Sequence, residues 1–267
     1  MSTATFVWHN LLQKILIKGE VVSPRGMNTL EIINNTSIVD MRFPVVTDPL
    51  RKLGYSFMPG EAWWIMSGRN TVSDISPYSK AISTFSDNGV YFNGAYGPKI
   101  IDQLSYICDA LISEDTTRQA VLSIWRENPR DSKDIPCTIT LQWFIRNQKI
   151  HCIDNMRSSD AWLGWPYDIF NMTMLTGMIL LLIREINPRM DSIGLGNIYL
   201  NAGSQHLYFS NMDKAKHCVE QGDTMKIERF DPYSFRNYQH LITHLKLVSD
   251  KHFDNLDNNF LKELENF

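Results

Sequence analysis

The sequence predicts one mixed α/β domain, and three observations carry that prediction. Two strand-like runs, 138–145 and 149–153, are joined by the short polar turn Arg-Asn-Gln-Lys. A strongly apolar stretch of helical character, 174–183, follows and is closed by Arg184 and Glu185. The chain has 267 residues, 43% hydrophobic and 21% charged, enough for one sizeable core. No repeat, low-complexity tract or Pro/Gly linker divides it, so 1–267 reads as a single domain.

Composition also excludes. A net charge of -3 argues against a bulk nucleic-acid binder. The four cysteines lack paired spacing, so neither a disulfide framework nor a structural zinc site is implied, and no metal is expected. A reducing, cytoplasmic setting (the host cytoplasm if the source is viral) fits that usage. No signal peptide is expected at the N-terminus. The apolar stretch 174–183 is too short to span a bilayer and reads as a buried core helix, so no membrane partner is expected.

Taken in order, residues 6–18 place Val7, Leu11, Leu12, Ile15 and Leu16 at helical spacing and predict a packing helix. Proline and glycine bracket residues 23–26 as a turn, which puts Arg25 on a loop. Residues 29–43 hold two β-prone pieces, LEII and SIVDMRF, separated by Asn34-Asn35, and predict a hairpin. In GEAWWIMSG, residues 60–68, Glu61 heads an apolar helical run. Such a carboxylate either complements the helix dipole or serves as a partly buried acid–base group with a raised pKa. Residues 69–92 are polar and read as a surface excursion; 93–97 form a tight turn holding Tyr96, and 100–112 an amphipathic helix. Arg118 stands at the entrance of the strand AVLSIW, and the polar loop 127–135 delivers Pro136 and Cys137.

Chemistry concentrates between 135 and 170, where a thiol, a guanidinium, hydroxyls and two carboxylates suit a nucleoside monophosphate. Three of the cysteines read as small buried hydrophobes. Cys137 differs, because it leaves a charged loop and enters a strand. Arg118 and Arg157 nearby would lower its pKa and raise the thiolate fraction.

These residues form ordered motifs. PC-x-x-x-x-Q at 136–142 precedes RSSD-x-x-L-G-x-P-x-D at 157–168 and GSQHLY at 203–208. Together with Arg25, MRF at 41–43, E-x-x-W-x-x-x-G at 61–68, GAYG at 94–97 and Arg118, they resemble the thymidylate synthase superfamily over roughly 23–208. The resemblance implies a large bent mixed sheet packed with a long buried helix, and a homodimer formed through a sheet face. It implies that Cys137 attacks C6 of a pyrimidine, that Glu61 orders water and assists proton transfer, and that Tyr96 belongs to the proton-abstraction network. Arg25, Arg157 and Ser158 would hold phosphate, with Arg118 reaching the phosphate of the other subunit. Gln119 stands where thymidylate synthases have a second arginine. His206 and Tyr208 would hold the sugar 3′-hydroxyl. Asp160, Leu163, Gly164 and Tyr167 would face the folate co-substrate, 5,10-methylenetetrahydrofolate.

Asp168 departs from the thymidylate synthase pattern, which has asparagine there. A carboxylate accepts from the cytosine C4 amino group and can share a proton with N3, whereas against uracil it would set two acceptors face to face. Its bland alternative is a helix N-terminal carboxylate that satisfies backbone donors. Aspartate here resembles the phage-type deoxycytidylate 5-hydroxymethyltransferases within the superfamily. Thr138 after the cysteine, NMRSSD at 155–160 and Ser204 lean the same way. The expected reaction is one-carbon transfer to C5 of dCMP, ending with water to give 5-hydroxymethyl-dCMP or with hydride to give 5-methyl-dCMP. No tryptophan lies between Ser73 and Gly89, where methylating members keep one, and that favours water. A CMP or dUMP enzyme, and a binding or regulatory homologue without turnover, remain open. Residues 234–267 read as a divergent C-terminal extension, with Leu256, Phe260, Leu261 and Leu264 at helical spacing. That helix either packs on the body or docks another enzyme of nucleotide synthesis.

Overall fold

In the computed structural model, which describes residues 2–127 and 131–267, the chain opens with α1 (Ala4–Lys18). Thr3 caps it, accepting from the Phe6 amide, and Trp8, Leu11, Leu12 and Ile15 are buried. Strands β1 (Glu20–Val22) and β2 (Thr29–Asp40) follow, then α2 (Phe57–Met66), the single turn α3 (Val72–Ile75) and α4 (Tyr96–Ser113). Next come β3 (Val121–Ser123), β4 (Thr138–Arg146), β5 (Lys149–Asp160), α5 (Trp165–Ile186) and β6 (Gly194–Tyr208). The C-terminal part holds α6 (Met212–Gln221), α7 (Tyr238–Ser249) and the short α8 (Asn259–Lys262).

The six strands make one mixed sheet in the order β1-β2-β6-β5-β4-β3, all neighbours antiparallel except the parallel pair β5–β6. The β4–β5 hairpin turns at Asn147 and Gln148, both at positive φ, which suits the twist of a two-residue hairpin. Parallel β5 and β6 need a crossover, and α5 supplies it. Register shifts at 138–140 in β4 and at 150–152 in β5 bend the sheet, and the first lies beside Cys137. The bent mixed sheet with a long buried helix is therefore present.

One face of the sheet carries Leu141, Trp143, Ile150, Cys152, Met156, Ile198, Leu200 and Ala202, all buried. This face meets α5, where the indole N–H of Trp143 donates to Thr176 Oγ1 at 3.0 Å. The alternate positions are left half-exposed and carry a polar ladder across four strands. Thr36 donates to Asn201 (2.8 Å), Asn201 to Asn155 (3.1 Å) and Asn155 to Thr140 (3.1 Å).

Four expectations are corrected. Residues 29–40 form one continuous strand rather than a hairpin, because both halves pair with the long β6; Asn34 enters the left-handed region (φ 55) without reversing the chain. Helix α2 begins at Phe57, so Glu61 lies one turn inside it, away from the helix head. Helix α5 has 22 residues, long enough by length to cross a bilayer, yet its apolar window is 78% buried inside the body. The segment 69–92 is more than a surface excursion, because Ile82, Phe85 and Phe92 wall an internal cavity. Of the expected loop 127–135, residues 128–130 lie outside the described residues.

Candidate active site

A cavity of about 170 Å³ opens between α2, α4 and the head of α5, lined by Glu61, Tyr96, Asp134, Asp168 and Asn171 among apolar side chains. Glu61 accepts from Asn171 Nδ2 at 2.7 Å. Burial pushes its carboxyl up to about 7, against the pull of that hydrogen bond. A carboxyl poised there exchanges protons at neutral pH. Asn171 lies three residues beyond Asp168 on α5, so both face the cavity from adjacent turns.

Asp168 is in the first turn of α5, and among the described residues its carboxylate takes no hydrogen bond from a helix amide. The capping alternative therefore fails. Burial, then Asp154, Glu61 and Asp160, push its carboxyl well above the usual range. The acid form has one donor and one acceptor, and so complements cytosine and uracil alike. These surroundings favour the acid form of Asp168 over the charged carboxylate.

Asp154 is fully buried in β5, and among the described residues only the Thr138 side chain comes near enough to offset that burial, without a well-aligned hydrogen bond. Burial pushes it up to about 7. Its charge would oppose ionisation of both Asp168 and Cys137. Nothing in the alternating strand pattern distinguished it from a core position.

Cys137 ends the loop before β4. Arg157 folds over it, donating to the carbonyls of Ile135 and Pro136 (both 3.0 Å), with Nη2 3.7 Å from the sulfur. The Tyr96 hydroxyl accepts the Thr138 amide N–H at 3.0 Å and so fixes the loop from the α4 side. The expected depressed thiol pKa is not found. Burial pushes it up, Arg157 and Arg25 pull it down, and burial wins. Arg25 reaches the site from an exposed turn in which it adopts φ 54. Arg118 is exposed before β3 and is absent from the charges acting on Cys137, so the chain does not bring these two together.

The sugar and phosphate residues meet where β5 and β6 run parallel. Ser158 pairs with Ser204, and Asp160 with His206. Ser204 donates to Glu31 of β2, which brings a carboxylate from that strand to position 204. His206 and Tyr208 stack edge-on at 5.3 Å, and His206 Nδ1 has no hydrogen-bond partner among the described residues. Asp160 Oδ1 accepts the amides of Trp162 (2.7 Å) and Leu163 (3.0 Å), which shapes the turn into Gly164 and α5. Its carboxyl is pushed up by burial against those two donors.

The remaining expected residues lie at and just before the start of α5. Leu163 is 54% exposed. Tyr167 accepts the Gly54 amide at 3.1 Å and meets Phe57 edge-on at 5.2 Å. Asn171, Asp134 and Asp154 were not anticipated. For Asn171 the signal was its i, i+3 spacing from Asp168; for Asp134 it was proximity to Gly94, whose amide it accepts at 2.6 Å. A Cβ on Gly94 would lie 2.5 Å from the Asp134 carbonyl, so only glycine fits there.

Comparison with known proteins matches one family and many relatives, two of them as follows. The family described as Thymidylate synthase matches residues 7–255. The deoxyuridylate hydroxymethyltransferase of Bacillus phage SP01 is 26% identical over 234 residues, covering 79% of this chain. The chain spans 58% of that relative's length. The thymidylate synthase of Buchnera aphidicola is 24% identical over 221 residues, covering 77% of this chain and 80% of the relative.

Proposed function

The chain belongs to the thymidylate synthase family, and on that premise we propose that it moves a one-carbon unit from 5,10-methylenetetrahydrofolate to C5 of dCMP and releases 5-hydroxymethyl-dCMP. One observation supports the choice of base: an aspartate, Asp168, borders the cavity in surroundings that favour its acid form, with no helix amide to satisfy. Uracil brings its own N3 proton. Cytosine must be given one before C6 accepts a nucleophile, and an asparagine has none to give.

In this reading the Cys137 thiolate adds to C6 as Asp168 passes its proton to N3, which makes C5 nucleophilic. The half-buried thiol ionises when phosphate draws Arg157, Arg25 and the partner's arginine around the site. The folate, which Leu163, Gly164, Tyr167 and Asp160 would hold, supplies the carbon at the oxidation level of formaldehyde to C5 and leaves as tetrahydrofolate, its carbon–nitrogen bond to that carbon broken as C5 loses its proton. Tyr96 sits beside the Cys137 loop to carry the C5 proton away. Glu61, near 7, positions and deprotonates the water that completes the hydroxymethyl group. Loss of the C6–S bond then restores the ring and frees Cys137. His206 and Tyr208 hold the sugar hydroxyl, and Ser158 with Arg157 the phosphate.

We assign Arg118 to the phosphate of the second subunit, since it is exposed and turned away from its own Cys137. The half-exposed sheet face with its polar ladder, and Ile38 at 42% exposure, is the surface that would pair.

A second reading, dUMP hydroxymethylation, is favoured by the name of the phage relative and by the ability of protonated Asp168 to pair with uracil. Product mass separates the outcomes. Turnover of dCMP with a gain of CH₂O supports the proposal, a gain of CH₂ moves the chain to the methylating branch, and turnover of dUMP alone supports the second reading.

A further inference from the structure

Helix α7 places His240 and His244 one turn apart on the same face, and the chain returns after α7 to set Asp257 against both rings. The ligand atoms of these three residues all lie within 4.8 Å of one another. His244 is buried, and its Nδ1 lies 2.9 Å from the His240 carbonyl oxygen. A carbonyl only accepts, so Nδ1 carries a proton, and in the neutral ring Nε2 presents a lone pair. Nε2 lies 2.8 Å from Asp257 Oδ1, an ion pair when the ring is charged. In the neutral ring the two are both acceptors, and a cation between them satisfies both. His240 Nε2 lies 3.7 Å from the other carboxylate oxygen.

We propose that His240, His244 and Asp257 form a binding site for a divalent transition cation of the Zn²⁺ type. Two imidazoles and a carboxylate suit such an ion and leave a fourth tetrahedral position for water. The His244 Nδ1–H bond to a carbonyl is the outer contact that fixes the tautomer of a metal-bound imidazole. Tetrahedral bonds near 2 Å require ligand atoms roughly 3.3 Å apart, so the trio closes by small rotations of His240 and the exposed Asp257. Phe235 packs edge-on against both rings, at 6.0 and 5.9 Å, and screens one side. Arg236 touches Asp257 at 3.4 Å, but its side chain is 79% exposed and free to swing away. Its amide approaches His240 Nδ1 at 3.4 Å, too long to hold that ring's tautomer firmly.

The ion would fasten the segment from Phe253 onward to α7, which packs against α2 and so against the helix that carries Glu61. That segment ends with Phe267 stacked on Tyr55 at 5.0 Å, beside the Gly54–Tyr167 contact. The site is separate from the cavity and stands whether or not the dCMP reading does.

The test is calorimetric titration of Zn²⁺, and of Co²⁺ followed by its visible absorption, into the full chain after chelator treatment. A Cys137→Ser background removes the half-exposed thiol. The proposal predicts one ion per chain, a tetrahedral Co²⁺ spectrum and a raised thermal midpoint with Zn²⁺. His240→Asn and Asp257→Asn, both at positions that are not fully buried, should weaken binding by at least about tenfold and abolish the rise. Substoichiometric binding, or binding unchanged in both variants, would overturn it.

Discussion

Asp154 shows what a single buried carboxyl does here. Its carboxyl moves from 3.8 to about 7 on folding because burial disfavours its charge. Between those values the native state holds a proton that the unfolded chain has lost. Stability therefore falls as pH rises through that window, and the loss is complete above it. Asp154→Asn removes this dependence. Urea unfolding at about pH 5 and about pH 8 should show the unaltered chain losing on the order of 2 kcal/mol more than the variant. Parallel curves would mean that Asp154 does not titrate on its own. The same residue weighs against ionised Asp168, so the variant should also bring Asp168 nearer the usual carboxylate range. A buried carboxyl on β5 thus adds to the surroundings that disfavour charge on Asp168.

At the scale of elements, α5 joins core to chemistry: it buries one face against the sheet and ends in Asp168 and Asn171 at the cavity. This helix, the β4–β5 hairpin and the Cys137 loop were legible in the sequence because period and turn residues act locally. Glu61, Tyr96 and Asp168 were legible through motif order, and the cavity gathers all three. The single strand 29–40 was not, because its partner β6 lies more than 150 residues away and overrides the local Asn-Asn signal. Nor was the raised thiol of Cys137, since desolvation depends on packing that spacing does not report. The C-terminal helix α7 was unread, and with it the histidine pair. Leu256, Phe260, Leu261 and Leu264 are all buried on the body, which leaves none of these four for a docking partner. Leu261→Ala should cost about 3 kcal/mol in denaturant unfolding. A loss under about 0.5 kcal/mol would show the segment to be peripheral.

For the whole molecule, the proposed dimer makes each site depend on two chains. Arg118→Ala and Cys137→Ser should each be inactive alone. Co-expressed, they should regain activity, because a heterodimer joins an intact Cys137 to an intact Arg118 across the interface. No recovery would place Arg118 outside the site. The base preference remains the centre of the account, and tritium release from [5-³H]dCMP and [5-³H]dUMP, with methylenetetrahydrofolate present, tests it most directly. Release should be faster from dCMP, and Asp168→Asn should lower that rate by about 10²–10⁴ while sparing or raising release from dUMP. Release from dUMP alone in the unaltered chain would contradict the role given to Asp168.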